Sequence, residues 1–174
     1  MKRLRAPIIM DIEASGFGCE SYPIEVGVVN RDGDRYCALI KPQKDWSHWC
    51  KNAEAVHGIA REVIELRGKD PREICRELNE FLGHETAYSD AWTYDKTWLN
   101  RLYFAAGMEC SFYLSPIENI ASDEQFLLWD KVKARLQSEL NIQRHRASGD
   151  AYLIQQTYIE TSGQLLKVGG CAMG

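Results

Sequence analysis

Ala6-Pro7-Ile8-Ile9-Met10-Asp11-Ile12-Glu13 is the stretch on which the reading of this chain turns. Residues 6–12 are almost continuously apolar, as expected of a central β-strand covered on both faces. Two carboxylates, Asp11 and Glu13, close the run. Side chains alternate along a strand, so residues two apart share a face. Two acids side by side beyond an apolar strand repel each other and cost desolvation. A divalent cation would relieve both costs. An exposed strand end carrying two solvated acids would avoid them.

Outward from this strand, Ile24 to Val29 reads as a second strand, Asn30-Arg31-Asp32-Gly33-Asp34 as a turn, and Arg35 to Ile40 as a third strand, the last two forming a hairpin. Short helices are expected over 52–56 and 60–66. A stronger one opens at Asp70-Pro71, with Asp70 as cap, Pro71 in the first turn, and Ile74, Leu78, Phe81 and Leu82 at helical spacing. A short strand follows over 87–89, then a helix over 95–106 stopped by Gly107. A last strand is expected around Ile117, a long helix over 123–140, and a final helix over about 147–161. The residues from 161 to 174 are expected to form a flexible tail, leaving a core of about 6–160 in one domain spanning 1–174. Strands early, helices late and alternation between them predict an α/β domain with a mixed sheet. Sites in such sheets form at strand ends.

The 174 residues are enough for one sizeable core. A formal net charge of -4 argues against capture of nucleic acid by overall charge, so a polyanion would be held by local cations and by metal. Six cysteines without a Cys-x-x-Cys pair point neither to a zinc knuckle nor to a dithiol redox centre. The apolar run after the basic opening is too short to span a membrane and ends in acid. A reducing, cytoplasmic setting with no membrane partner is the expectation.

The remaining candidates are dispersed. Asp95 ends Ala91-Trp92-Thr93-Tyr94-Asp95, where it could cap the next helix or face a site, and Asp90 is its neighbour and rival. His145 and Asp150 stand five residues apart at the start of the final helix. Scattered acids that converge would hold hard cations such as magnesium or manganese. A histidine beside them would take a proton near neutral pH. That chemistry is metal-assisted hydrolysis of a phosphodiester. Trp46, His48 and Trp49 crowd one loop and read as a stacking platform, a small core or a partner surface.

In order and spacing these segments resemble the DEDD superfamily of 3′-to-5′ exonucleases in its histidine-bearing DEDDh branch. Asp11-Ile12-Glu13-Ala14-Ser15-Gly16-Phe17 resembles the first motif, Ile24-Glu25-Val26-Gly27-Val28-Val29 the strand after it, Val56-His57-Gly58-Ile59 the following loop, Tyr94-Asp95 the second acidic motif, and His145-Arg146-Ala147-Ser148-Gly149-Asp150-Ala151 the third. The middle motif lacks the asparagine common in the family. The resemblance implies a ribonuclease H-like fold. It implies that Asp11, Glu13, Asp95 and Asp150 hold two Mg²⁺ or Mn²⁺ ions and that His145 is the general base. It places the terminal nucleotide against Ser15, Gly16 and Phe17, with Phe17 stacking on a terminal base or simply anchoring its loop. His57 and Trp92 are further expected contacts, and Arg144 and Arg146, which flank His145, read as phosphate contacts or as solvated charges, with Arg146 expected at the substrate. The implied partners are single-stranded DNA or RNA 3′ ends, and a homodimer is among the states the family allows. The implied activity is release of nucleoside 5′-monophosphates. The alternative is a nucleic-acid-binding module of the same fold with weak or no catalysis.

Overall fold

The computed structural model describes residues 5–171; Met1 to Leu4 and the last three residues lie outside them. Five strands form one mixed sheet: β1 (Ile8–Ala14), β2 (Pro23–Val29), β3 (Arg35–Leu39), β4 (Thr86–Ser89) and β5 (Tyr113–Pro116), in the spatial order β3-β2-β1-β4-β5. β1 is central. It pairs antiparallel with β2 and parallel with β4. β2–β3 is an antiparallel hairpin and β4–β5 a parallel pair. Among the described residues six α-helices accompany the sheet: α1 (Lys51–His57), α2 (Arg61–Arg67), α3 (Pro71–Leu82), α4 (Trp92–Ala106), α5 (Asp123–Glu139) and α6 (Ala147–Cys171). This is the expected α/β domain with a mixed sheet. None of the described helices is long and apolar enough to cross a membrane.

β1 is apolar on both faces because each face meets helices. Ile8, Met10 and Ile12 join Val26, Val28, Ile74, Leu78, Leu99 and Leu102 in one cluster, which includes residues of α3 and α4. Ile9 joins Val29, Ile117, Trp129, Ala151 and Ile154 in a second, which includes residues of α5 and α6. Asp11 and Glu13 continue the row of Ile9, so they point to the side of α5 and α6 just beyond the apolar part of the strand.

Helix starts follow local chemistry where it is strong. The Asp70 carboxylate accepts from the Arg72 N–H at 2.9 Å with Pro71 in the first turn. Ser122 and Gln125 form a reciprocal capping box at the start of α5. Elsewhere tertiary contacts override the local reading. α4 begins at Trp92 rather than Asp95, with the Trp92 Nε1–H donating to the Leu114 carbonyl at 2.8 Å. Asp95 therefore lies within the first turn instead of capping it. The last strand precedes Ile117: Thr86 to Ser89 pair with Tyr113 to Pro116, and Ile117 opens a 3₁₀ turn after the proline. α6 does not stop near Thr161 but runs to Cys171. The Gln125 Nε2–H donates to Thr161 Oγ1 and Ser162 Oγ, tying the later turns to the start of α5.

The close approach of α6 to the sheet depends on Gly27. A Cβ there would lie 2.2 Å from the Ala147 carbonyl carbon and from the Ser148 nitrogen, both backbone atoms. Gly27→Ala should therefore push the start of α6 off β2 and lower stability by about 1–3 kcal/mol, the usual cost of overpacking. Urea unfolding checks this; an unchanged midpoint would mean the backbone yields freely at this point.

Candidate active site

One cleft of about 340 Å³ opens at the carboxyl ends of β1 and β4, where the parallel pair ends. Asp11, Glu13, Asp95, His145 and Asp150 all line it, together with Phe17, Asp90, Tyr94, Trp98, Lys133 and Arg144. Residues drawn from 140 positions of sequence thus meet at one place. The carboxylates of Glu13 and Asp150 and a ring nitrogen of His145 lie within 4.8 Å of one another.

Each acid arrives by a separate route. Asp11 and Glu13 come from alternate positions of β1. Asp95 comes from the first turn of α4, where it is 1% exposed and its carboxylate accepts from the Ser89 hydroxyl. Asp150 comes from the first turn of α6. Its Oδ2 accepts from the His145 N–H at 2.7 Å, so the carboxylate closes the loop that carries the histidine. His145 takes a left-handed backbone, φ 60°, which a non-glycine residue holds only when its surroundings impose it. Asp150 Oδ1 is buried without a hydrogen-bond partner. The Arg144 Nε is 3.2 Å away but not aligned to donate.

The electrostatics are those of anions crowded out of water. Burial, then the nearby Asp95, Glu13, Asp150 and Asp90, hold the Asp11 carboxyl well above the ordinary carboxylate range. Burial, then Asp150 and Glu25, push Glu13 up to about 7 despite Arg146 and Arg144. Burial raises Asp95 to about 8, with Asp90 and Glu13 adding to it and the Ser89 hydrogen bond opposing. Hard oxygen donors, mutual repulsion and an orphaned buried carboxylate oxygen together fit a divalent cation. Asp90 differs from Asp95: its Oδ2 is 2.7 Å from Lys133 Nζ, so its charge is already matched.

The other residues named from the sequence divide. Phe17 reaches the cleft and is 72% exposed. Ser15 and Gly16 build the corner behind it. The Ser15 hydroxyl accepts from the Tyr22 N–H at 3.1 Å, and a Cβ on Gly16 would sit 2.4 Å from His48 Cε1. His57 is buried outside the cleft lining. Its Nδ1 accepts from the Ile59 N–H, and burial lowers its pKa. Trp92 is tied to β5, also off the lining. Arg146 turns away to form a bidentate pair with buried Glu25, whose Oε2 also accepts from the Ala147 N–H at 2.9 Å. Trp46 belongs to the main core and stacks on Tyr22 at 5.1 Å.

Three features were not read from sequence. The Tyr94–Trp98 stack, centroids 5.9 Å apart, was signalled by helical spacing of two aromatics. The Glu25–Arg146 pair was signalled by one charge inside an apolar strand. Lys133 carried no signal that set it apart from a solvated lysine of α5.

No protein-family model and no curated protein sequence matches the chain. Solved structures do. E. coli Exonuclease I in complex with a dT13 oligonucleotide matches with a TM-score of 0.64 at 10% identity, over 88% of this chain and 40% of that one. Exonuclease I from Methylocaldum szegediense matches with a TM-score of 0.62 at 14% identity, over 84% and 38%. A zinc-ion-bound E. coli Exonuclease I–ssDNA complex matches with a TM-score of 0.64 at 12% identity, over 89% and 40%. The chain thus spans about 40% of the length of these exonucleases. At such identities the likeness establishes the fold, which is ribonuclease H-like.

The raised acids set a pH dependence. Unfolded carboxylates titrate near pH 4, whereas Glu13 and Asp95 titrate at about 7 and about 8 in the fold. Between those limits the native state holds more protons than the unfolded state, so stability falls as pH rises. In chelator-containing buffer the thermal midpoint should decline from about pH 5 to about pH 8, and Asp95→Asn should flatten part of the decline. A midpoint that stays level or climbs over this range would show that the acids are not crowded as described.

Proposed function

We propose that this chain is a divalent-metal-dependent 3′-to-5′ exonuclease of the DEDDh type, acting on single-stranded nucleic acid and releasing nucleoside 5′-monophosphates. The observation that carries this reading is the meeting of Asp11, Glu13, Asp95, Asp150 and His145 in one cleft at the end of β1. The structural likeness to Exonuclease I, some of whose structures hold single-stranded oligonucleotides, supports the same class of substrate.

Asp11, Glu13, Asp95 and Asp150 would hold two ions, with Mg²⁺ or Mn²⁺ suited to their oxygen donors. Such ions supply charge neutralisation at the phosphoryl group and make water acidic enough to attack near neutral pH. His145 takes the proton of the attacking water. The water oxygen bonds to the phosphorus of the terminal linkage, the bond to the 3′ oxygen of the preceding nucleotide breaks, and the phosphate leaves on the 5′ carbon of the released nucleotide. The bond from the His145 amide to Asp150 keeps the base in register with the acids. Phe17, exposed at the cleft, offers a face on which a terminal base of any identity can stack.

Purified protein should shorten 3′-ended single strands in magnesium or manganese and yield 5′-mononucleotides, and chelation should stop it. Asp11→Ala and Asp150→Ala should abolish turnover while circular dichroism stays native. His145→Ala should slow it by about 10²–10⁴-fold. Labelled single-stranded DNA, RNA, mismatched duplex and very short oligomers, tested in parallel, assign the substrate. Oligonucleotide binding without cleavage in either metal would establish a binding module in place of the nuclease.

A further inference from the structure

The lining of the cleft is of two kinds. Phe17, Tyr94 and Trp98 give it aromatic faces, with Tyr94 61% exposed and stacked on Trp98. Lys133 and Arg144, from α5 and from the loop before α6, give it its cations among the described residues. α4, which carries Tyr94 and Trp98, packs on one face of β1, and α5, which carries Lys133, packs on the other. The two cations are not equivalent. Arg144 lies against Asp150, one of the four acids proposed to hold metal. Lys133 pairs at 2.7 Å with Asp90, an acid surplus to that set.

That difference decides what each can do. Arg144 stands 3.2 Å from an oxygen of Asp150, so its charge is engaged by the cage itself. Lys133 can exchange Asp90 for another anion and disturb none of the four. Its ammonium is a compact charge on a flexible stem with three donors, suited to a phosphate oxygen approaching from varied directions. The pair is half-buried, with side-chain exposures of 20% for Lys133 and 25% for Asp90, so it faces the cleft and is not fully screened by water. Asp90 directly follows β4 and lines the cleft at that strand end.

We propose that Lys133 is a positioning residue that binds a phosphate of the single strand, with Asp90 as the built-in anion that the phosphate displaces. The inference rests on the nuclease reading of the cleft for its substrate. Bases then lie toward Tyr94 and Trp98 and the phosphodiester chain toward α5. Asp90 also keeps Lys133 from neutralising the cage itself when no substrate is present.

The test uses the whole chain and a fluorescent single-stranded oligothymidylate, with binding read by anisotropy in chelator and turnover read in manganese. Lys133→Met should raise both Kd and KM about tenfold, leave kcat within about twofold, and lower the salt slope of binding by about 0.7, the value of one phosphate on a single strand. Lys133→Arg should restore most of the affinity. Asp90→Asn should tighten binding, the opposite sign, because the competing anion is gone. Lys131→Met removes the same charge from an exposed position of α5 outside the cleft and should change these quantities little. The double variant Lys133→Met/Asp90→Asn strands no charge and should still bind more weakly than Asp90→Asn alone. An unchanged Kd and salt slope in both Lys133→Met and the double variant would overturn the proposal, as would an equal effect from Lys131→Met. The binding arm is independent of turnover, so an inactive wild-type protein would overturn the nuclease reading while the salt slopes still judge Lys133.

Discussion

The start of α6 sits directly on the backbone of β2, and the site depends on that contact. Gly27 leaves room for it. Two residues before it, Glu25 points the same way, buried, and accepts from the first amide of α6 and from both prongs of Arg146. The carboxylate is buried while the Arg146 side chain is 42% exposed, and desolvation of Glu25 offsets much of the attraction. The effect of the pair is geometric. It sets where α6 begins, and with that the position of Asp150 and of the histidine loop bonded to it. Gly27 is the partner of Asp11 in the β1–β2 ladder, and Glu25 the partner of Glu13. The docking point of the helix and the first two acids are therefore neighbours across one ladder.

The same arrangement explains why the acids are poor company for one another. The sheet and helices that bring them together also exclude water, and Glu25 adds its field to that of Asp150 on Glu13. Folding opposes this repulsion with apolar burial on both faces of β1 rather than with local neutralisation. Lys133 matches only Asp90, and Arg144 stands near only one oxygen of Asp150. The carboxylates left unmatched are the property that a cation-dependent reaction on a phosphodiester would use, because a cation bound there displaces protons and meets little competition from the protein's own side chains.

Much of this was legible along the chain. The apolar run of β1, the turn before β3 and the cap at Asp70 are local signals with local causes, and the elements follow them. The acids and the histidine announced themselves by type and interval. Misreadings cluster where distant residues decide. α4 starts early because β5 anchors Trp92. β5 ends before Ile117 because its ladder with β4 reaches only to Pro116. α6 continues past Thr161, where Gln125 bonds Thr161 and Ser162 to the start of α5. Among the residues expected to meet substrate, Arg146 pairs with Glu25, Trp92 bonds β5 and His57 bonds the Ile59 amide, and none of the three lines the cleft.

By itself the sequence determined the class of fold, the central strand with two acids on one face, and the five residues worth bringing together, because periodicity and residue chemistry are written locally. Only the tertiary structure decided that the five share one cleft, that Asp95 and not Asp90 is left without a cation, and that Lys133 lines the same cleft as Tyr94 and Trp98. Those are relations between side chains far apart in sequence. They are set by strand order, by the approach that Gly27 permits, and by which charges burial leaves unmatched.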